Sequence, residues 1–163
     1  MTTREEVIQG GRALDDLLRT LAPKIHKNIN RSALRSGAVV VLDEVKNRIP
    51  VDSGQLRASA RVTTRAAGGM ISASVKVGNF VAWYANLVEF GTRPHEIKAK
   101  PGQALRIGGA AVQRVDHPGA QAQPFMRPAA DAALTAAIDA YTDKLRQRLT
   151  NQGINVPAPG SGP

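Results

Sequence analysis

Leu56-Arg57-Ala58-Ser59-Ala60-Arg61-Val62-Thr63-Thr64-Arg65-Ala66-Ala67-Gly68-Gly69-Met70-Ile71-Ser72-Ala73-Ser74-Val75-Lys76-Val77 is the stretch whose reading decides the fold. Every second residue is apolar around Leu56, Ala58, Ala60 and Val62, and again around Ile71, Ala73, Val75 and Val77. Ala67-Gly68-Gly69 between the two runs is a turn signal. The spacing therefore predicts an antiparallel hairpin of strands 56–65 and 70–77.

Helical periodicity flanks this hairpin. A short element, 5–10, ends at Gly10-Gly11, and a helix over 12–21 carries Leu14, Leu17, Leu18 and Leu21 on one face. Pro23 separates it from a longer helix over 24–48. That helix has apolar positions Ile25, Ile29, Ala33, Ala38, Val41, Leu42, Val45 and Ile49 at spacings of mostly three and four. Gly37 inside it costs up to ~1 kcal/mol relative to Ala, which predicts a kink or a close helix contact. Pro50 stops the helix by pushing the preceding residue out of the α region.

Beyond the hairpin, Asn79 starts a short helix or wide turn through Trp83, Tyr84, Leu87 and Val88, with Gly91 at its C′ position. Residues 93–115 read as a loop followed by two short strands, 104–107 and 111–115, closed by Gly108-Gly109; 117–123 read as loop. Pro128 suits the first turn of a last helix. Ala129, Ala130, Ala133, Leu134, Ala137, Ile138, Tyr141, Leu145 and Leu149 form its apolar stripe, read as core packing in preference to a coiled-coil seam. Its span to Thr150 is about 22 residues, or ~33 Å.

The sum is an α+β fold: a small, mostly antiparallel sheet packed against long N-terminal and C-terminal helices. It is expected as one domain over 1–152 with a Pro/Gly-rich tail over 153–163. A small sheet leaves unpaired edges unless a neighbour covers them, which points towards oligomers.

Composition narrows the function. The 163 residues include no cysteine, so neither a disulfide framework nor a thiolate metal site is expected. No run approaches ~18 apolar residues, so no membrane span is expected. The first residues lack a signal-peptide pattern, pointing to a chain used in a cytosol or carried inside something larger. Aromatics at 4% are too few for a single-strand stacking platform. The net charge of +9 is concentrated between Val45 and Ala130, where twelve basic residues face only four acids: Asp52, Glu89, Glu96 and Asp116. A basic middle implies an anionic partner, nucleic acid or an acidic protein surface, or simply a solvated face.

The candidate chemical residues each have a structural reading. Asp52-Ser53-Gly54 after Pro50 is a turn, since Asp and Ser bond nearby N–H groups and Gly accepts positive φ. Glu89, between Val88 and Phe90, is expected to accept backbone N–H or Arg hydrogen bonds, because burying it unpaired would be costly. Glu89, His95, Glu96, Asp116 and His117 match no compact metal spacing. There is no G-x-S-x-G elbow and no P-loop, so neither catalysis nor a cofactor is expected. A hydrolase built on Glu89 and the histidines stays as one alternative. Nucleic-acid binding through Arg93, Lys98, Lys100, Arg106 and Arg114 is the stronger one, although no zinc finger, RRM-type motif or helix-turn-helix is present.

Three strings carry a family likeness. Pro50-Val51-Asp52-Ser53-Gly54-Gln55-Leu56-Arg57, Tyr84-Ala85 through Glu89-Phe90-Gly91-Thr92, and His117-Pro118-Gly119 with Gln123-Pro124-Phe125-Met126-Arg127-Pro128-Ala129 resemble, in order and spacing, the head–tail joining or tail-completion family of long-tailed bacteriophages. Ser53 stands where that family more often has Thr. The resemblance implies a structural virion protein of the neck: a ring, as a homohexamer, between the connector and the tail tube, assembled in the host cytoplasm. A tail terminator ring proper is the neighbouring reading. The resemblance makes Asp52, Gly54, Glu89, Phe90, Gly91, Thr92, Pro118, Gly119, Pro124, Phe125, Arg127 and Pro128 structural corners. It makes Arg93, Lys98, Lys100, Arg106 and Arg114 candidate contacts to an adjoining acidic ring, with genome DNA in the channel as the other possible partner.

Overall fold

The periodic segment after Pro23 forms helix α1, Pro23–Arg48, in a computed structural model that describes residues 23–154. The elements expected over 5–10 and 12–21, and the tail beyond Ile154, lie outside the described residues. The remaining elements are α2 (Gln55–Ser59), β1 (Arg61–Ala67), β2 (Met70–Lys76), α3 (Ala85–Phe90), β3 (His95–Lys98), β4 (Leu105–Ile107), β5 (Ala110–Val112), β6 (Arg114–His117) and α4 (Met126–Thr150). The α+β reading holds. Among the described residues the strands form three separate two-stranded antiparallel ribbons, β1–β2, β3–β6 and β4–β5, in place of one sheet.

Two compact units divide the chain. Among the described residues, the first takes those up to Glu44, Arg61–Lys76 and those from Ala132 onward. Its core is where the two long helices meet: Ile29 and Ala33 of α1 are buried with Leu145 and Leu149 of α4, and Tyr141 packs against them. Gly37 makes this approach possible, since a Cβ there would stand 2.6 Å from the Ala137 carbonyl oxygen. Of the two outcomes expected for Gly37, the close contact is the one observed. A polar chain runs beside the core. The Tyr141 hydroxyl donates to Asn30 Oδ1 (3.2 Å), and Asn30 Nδ2 donates to His26 Nε2 (3.2 Å). Partial burial pushes the Tyr141 phenol above its ordinary pKa. The β1–β2 hairpin belongs to this unit, in full register from Arg61 opposite Lys76 to Ala67 opposite Met70.

The second unit is Val45–Ala60 and Val77–Asp131. Here the strand expected over 56–65 is corrected: its first half is helix α2, and strand β1 begins only at Arg61. Gly54, at φ 77°, supplies the N-cap, and its carbonyl accepts the Ala58 N–H at 3.0 Å. Leu56, Ser59 and Ala60 are buried while Ala58 is exposed, a helical and not an alternating pattern. Leu, Arg and Ala are strong helix formers, so a capped turn outweighs a four-point alternation. Ser59 Oγ then accepts the Gly78 N–H at 2.8 Å.

The segment 93–117 also departs from expectation. The strand expected over 111–115 is broken at Gln113 into β5 and β6, which take different partners. β6 pairs with β3, a strand read from sequence as loop, from His95 opposite His117 to Lys98 opposite Arg114. The Ala99 N–H to Gln113 carbonyl bond (2.8 Å) extends that ladder, and the β4–β5 hairpin turns at its far end. At the near end Thr92 bridges Ala120, inside the expected loop 117–123. Residues 92–120 thus make a two-legged β arm. Pro94 sits just before its ladder, where a missing N–H costs nothing.

Helix α4 begins two residues before Pro128, which still lies in its first turn. Its apolar stripe is split. Ala129, Ala133, Leu145 and Leu149 are buried, but Leu134 and Ile138 are exposed, as is Ala130. The 130–134–138 ridge is therefore surface, not core.

Candidate functional site

The second and third strings meet at the end of α3, where the sequence Val88-Glu89-Phe90-Gly91-Thr92 holds the segment Gly119–Met126. Glu89 is the centre of this clamp. Its side chain is buried, and Oε2 accepts the N–H groups of Phe125 (2.8 Å) and Met126 (3.1 Å). Those are first-turn donors of α4, which have no intrahelical partner. A carboxylate 36 residues away in sequence thus caps the last helix. Its charge sits at the positive end of the helix dipole, where it is stabilising. The expectation that Glu89 would bond backbone N–H groups is met by this geometry.

Neighbouring bonds complete the clamp. The Gln123 N–H donates to the Val88 carbonyl (2.9 Å). Thr92 and Ala120 exchange both backbone bonds (2.9 and 3.1 Å), and Thr92 Oγ1 also accepts the Ala120 N–H (2.8 Å). Gly91 and Gly119 are where the two backbones pass closest. Gly91, at φ 70°, caps α3, and a Cβ on it would lie 2.5 Å from the Ala120 carbonyl oxygen. A Cβ on Gly119, at φ 88°, would collide with the Thr92 carbonyl oxygen. Phe125, 1% exposed, fills the core beneath. Pro124 and Arg127, to either side, are exposed, and Pro118 is exposed at the bend of the arm.

The first string joins them. A surface cleft of about 310 Å³ is lined by Pro50 to Gly54 and Leu56, by Tyr84 and Val88, and by Gln123. Each string contributes to its wall. Asp52 is exposed at this cleft, on the turn that precedes α2.

The basic candidates all lie on the β arm and all are exposed. Lys98 and Arg114 face each other across β3–β6, and Glu96 lies within 2.9 Å of Lys98 and 3.7 Å of Arg114. Arg93 is at the base of the arm, Lys100 in the turn after β3, and Arg106 on β4. Five cations against the carboxylates of Glu96 and Asp116 leave the arm positive. His95 and His117 sit opposite each other with ring centroids 5.1 Å apart. His117 Nδ1 accepts the Gly119 N–H (3.0 Å), and His95 Nδ1 donates to the Arg93 carbonyl (2.9 Å). Both imidazoles thereby hold the base of the arm. Among the described residues no group of three or more His, Cys, Asp and Glu could hold a metal ion, and no helix is long and apolar enough to cross a membrane.

The outer surface of the 80–90 segment escaped the sequence reading. Asn79 Oδ1 accepts the Val81 and Ala82 N–H groups (2.9 and 2.8 Å) and starts the turn that leads into α3. Ala82, Ala85 and Glu89 face inward. Phe80, Trp83 and Phe90 face solvent, 96, 71 and 76% exposed, with Val81 and Leu87 also exposed. The corner residue Phe90 is thus outside the corner. The signal available in the sequence was the density of apolar residues in a segment too short to bury them all.

Residues 12–91 match the family model described as "Bacteriophage HK97-gp10, putative tail-component". No curated protein and no solved structure matches the chain. The matched segment holds the first two strings; the third, with the arm and α4, lies beyond it. The likeness to a phage tail component read from the strings is therefore shown over that segment.

Proposed function

We propose, from the match of residues 12–91 to a phage tail-component family model, that this chain is a structural protein of the virion neck. It forms a homo-oligomeric ring, of six copies, at the head–tail junction and joins the connector to the tail tube. It is assembled in the host cytoplasm and retained in the virion. Residues 1–152 act as its body and 153–163 as an appended tail.

The observation that carries this reading is the clamp. Its residues are spent on fixing chain direction: Glu89 on two backbone N–H groups, His117 on a third, Thr92 on a fourth. What the clamp fixes is the root of the positive β arm. Corner residues that aim an arm suit a part whose work is docking. The arm's five cations then meet the acidic rim of an adjoining ring. Duplex DNA in the channel is the second reading, favoured by the same exposed cations; a tail terminator ring is the neighbouring assignment.

Disrupting the gene tests the proposal. Infected cells should accumulate filled heads and separate tails, with joined particles restored by the gene in trans. Joined particles at normal yield without the protein would contradict it. For the second reading, duplex affinity falling steeply with salt, as release of several counterions requires, would favour DNA as the arm's partner.

A further inference from the structure

Helix α3 and the turn before it are packed inside out. A glutamate and two alanines point inward while two aromatics of the turn, Phe80 and Trp83, and a third on the helix, Phe90, point outward. Leu87 and Phe90, three apart on α3, share one face of the helix, and exposed Trp83 lies two residues before the helix begins. At ~150–250 Å² per aromatic side chain, the exposed fractions of the trio amount to roughly 400–600 Å². That already matches the largest apolar patch of a typical monomer, about 300–600 Å². With Val81 and Leu87 added it approaches one partner's share of a standard interface, ~800 Å². Aromatics are the residues that most often anchor such interfaces.

The same chain carries a second open apolar surface of a different kind. On α4, Ala130, Leu134 and Ile138 form an exposed ridge at successive spacings of four, beside exposed Ala132 and Ala136. It is low and aliphatic, where the α3 face is tall and aromatic. Charge is complementary too: exposed Arg93 lies two residues past the Gly91 cap of α3, and exposed Asp131 stands one turn before Leu134 on α4. Two unlike and complementary surfaces on one copy are what a head-to-tail contact between copies requires, and such contacts close into rings when the rotation allows.

We infer that the Phe80–Trp83–Phe90 face of one copy docks on the Leu134–Ile138 ridge of a second copy. This deepens the ring reading and rests on it: it names the two surfaces that close the ring. Substitution of either surface should break the ring while the fold is kept, because none of these side chains is in a core.

The test uses the purified full-length chain, half of it labelled with ¹⁵N, with a photo-reactive benzophenone amino acid replacing Phe90. Illumination of the assembled protein should cross-link labelled to unlabelled copies, at peptides containing Leu134 or Ile138. In parallel, Trp83→Ser with Phe90→Ser, and separately Leu134→Ser with Ile138→Ser, should each weaken self-association roughly tenfold or more by sedimentation, with circular dichroism unchanged. Cross-links between copies at any other surface, or undiminished assembly of both variants, would overturn the inference and leave the ring reading standing. A wild-type chain that stays monomeric at every concentration would overturn both.

Discussion

The inner face of α3 holds Ala85 and Glu89 away from solvent, whereas its outer face presents Leu87 and Phe90 to it. A buried carboxylate and a bared phenyl ring are neighbours in the chain, an inversion of the usual sorting. The inner face is satisfied within the chain: Glu89 has two donors, and its charge caps a helix. The outer face has no such internal partner among the described residues. The difference teaches that the two sides of this short helix are divided: the inner side serves the fold, and the outer side is the one used by the contact between copies proposed above. Substitutions on the two sides should therefore separate stability from association.

The largest expected effect is beneath the inner face. Phe125→Ala empties a fully buried site and should cost about 3–5 kcal/mol, read as a lowered denaturant midpoint. An unchanged melt would place Phe125 outside the core. Next comes Glu89→Ala, which leaves the Phe125 and Met126 N–H groups without their acceptor, at about 1–3 kcal/mol for each donor that stays buried. Glu89→Gln keeps an acceptor oxygen and should lose visibly less; equal losses would mean that shape, not hydrogen bonding, decides the position. Gly91→Ala forces a side chain into a positive-φ, extended-ψ conformation that is essentially glycine's alone, at about 1–3 kcal/mol, before the added contact with the Ala120 carbonyl. On the outer face, Phe90→Ser should change folding stability by no more than ~0.5 kcal/mol. A melt lowered as far as that of Glu89→Ala would erase the contrast between the faces.

The smallest effect is expected in the α1–α4 core. The folded-state pKa of Tyr141 is raised by burial above its unfolded value of about 10. Its contribution is fully present below pH ~10 and is lost as pH rises through the folded value, because the unfolded chain gives up the proton first. Tyr141→Phe should remove that alkaline component from a stability–pH profile and leave the neutral range otherwise smooth.

Much of this was legible in the sequence, and the failures have physical causes. The long helices were readable because Ile29, Ala33, Leu145 and Leu149 repeat at helical spacing and do pack together. The β1–β2 turn was readable because Gly68-Gly69 marks it. The start of β1 was misread because Leu56, Ala58, Ala60 and Val62 fit a strand as well as a helix, and only the Gly54 cap decides between them. β3 was missed because its partner β6 lies across the whole arm, and cross-strand pairing leaves no local periodicity. The role of Glu89 was readable in kind, since a carboxylate between Val88 and Phe90 needs donors. Which donors it found was not, because they come from 36 residues downstream. The split of the α4 stripe was illegible for a similar reason: Ala129 and Ala130 look alike until a neighbour covers one of them.

The measurement that bears most directly on the central claim is a cryo-electron microscopy reconstruction of the phage particle that contains this protein. The account predicts a closed ring at the head–tail junction into which the α1–α4 helix pair and the clamped β arm fit, with adjacent copies in contact. A particle whose junction has no density for this fold, or a virion from which the protein is absent, would contradict it.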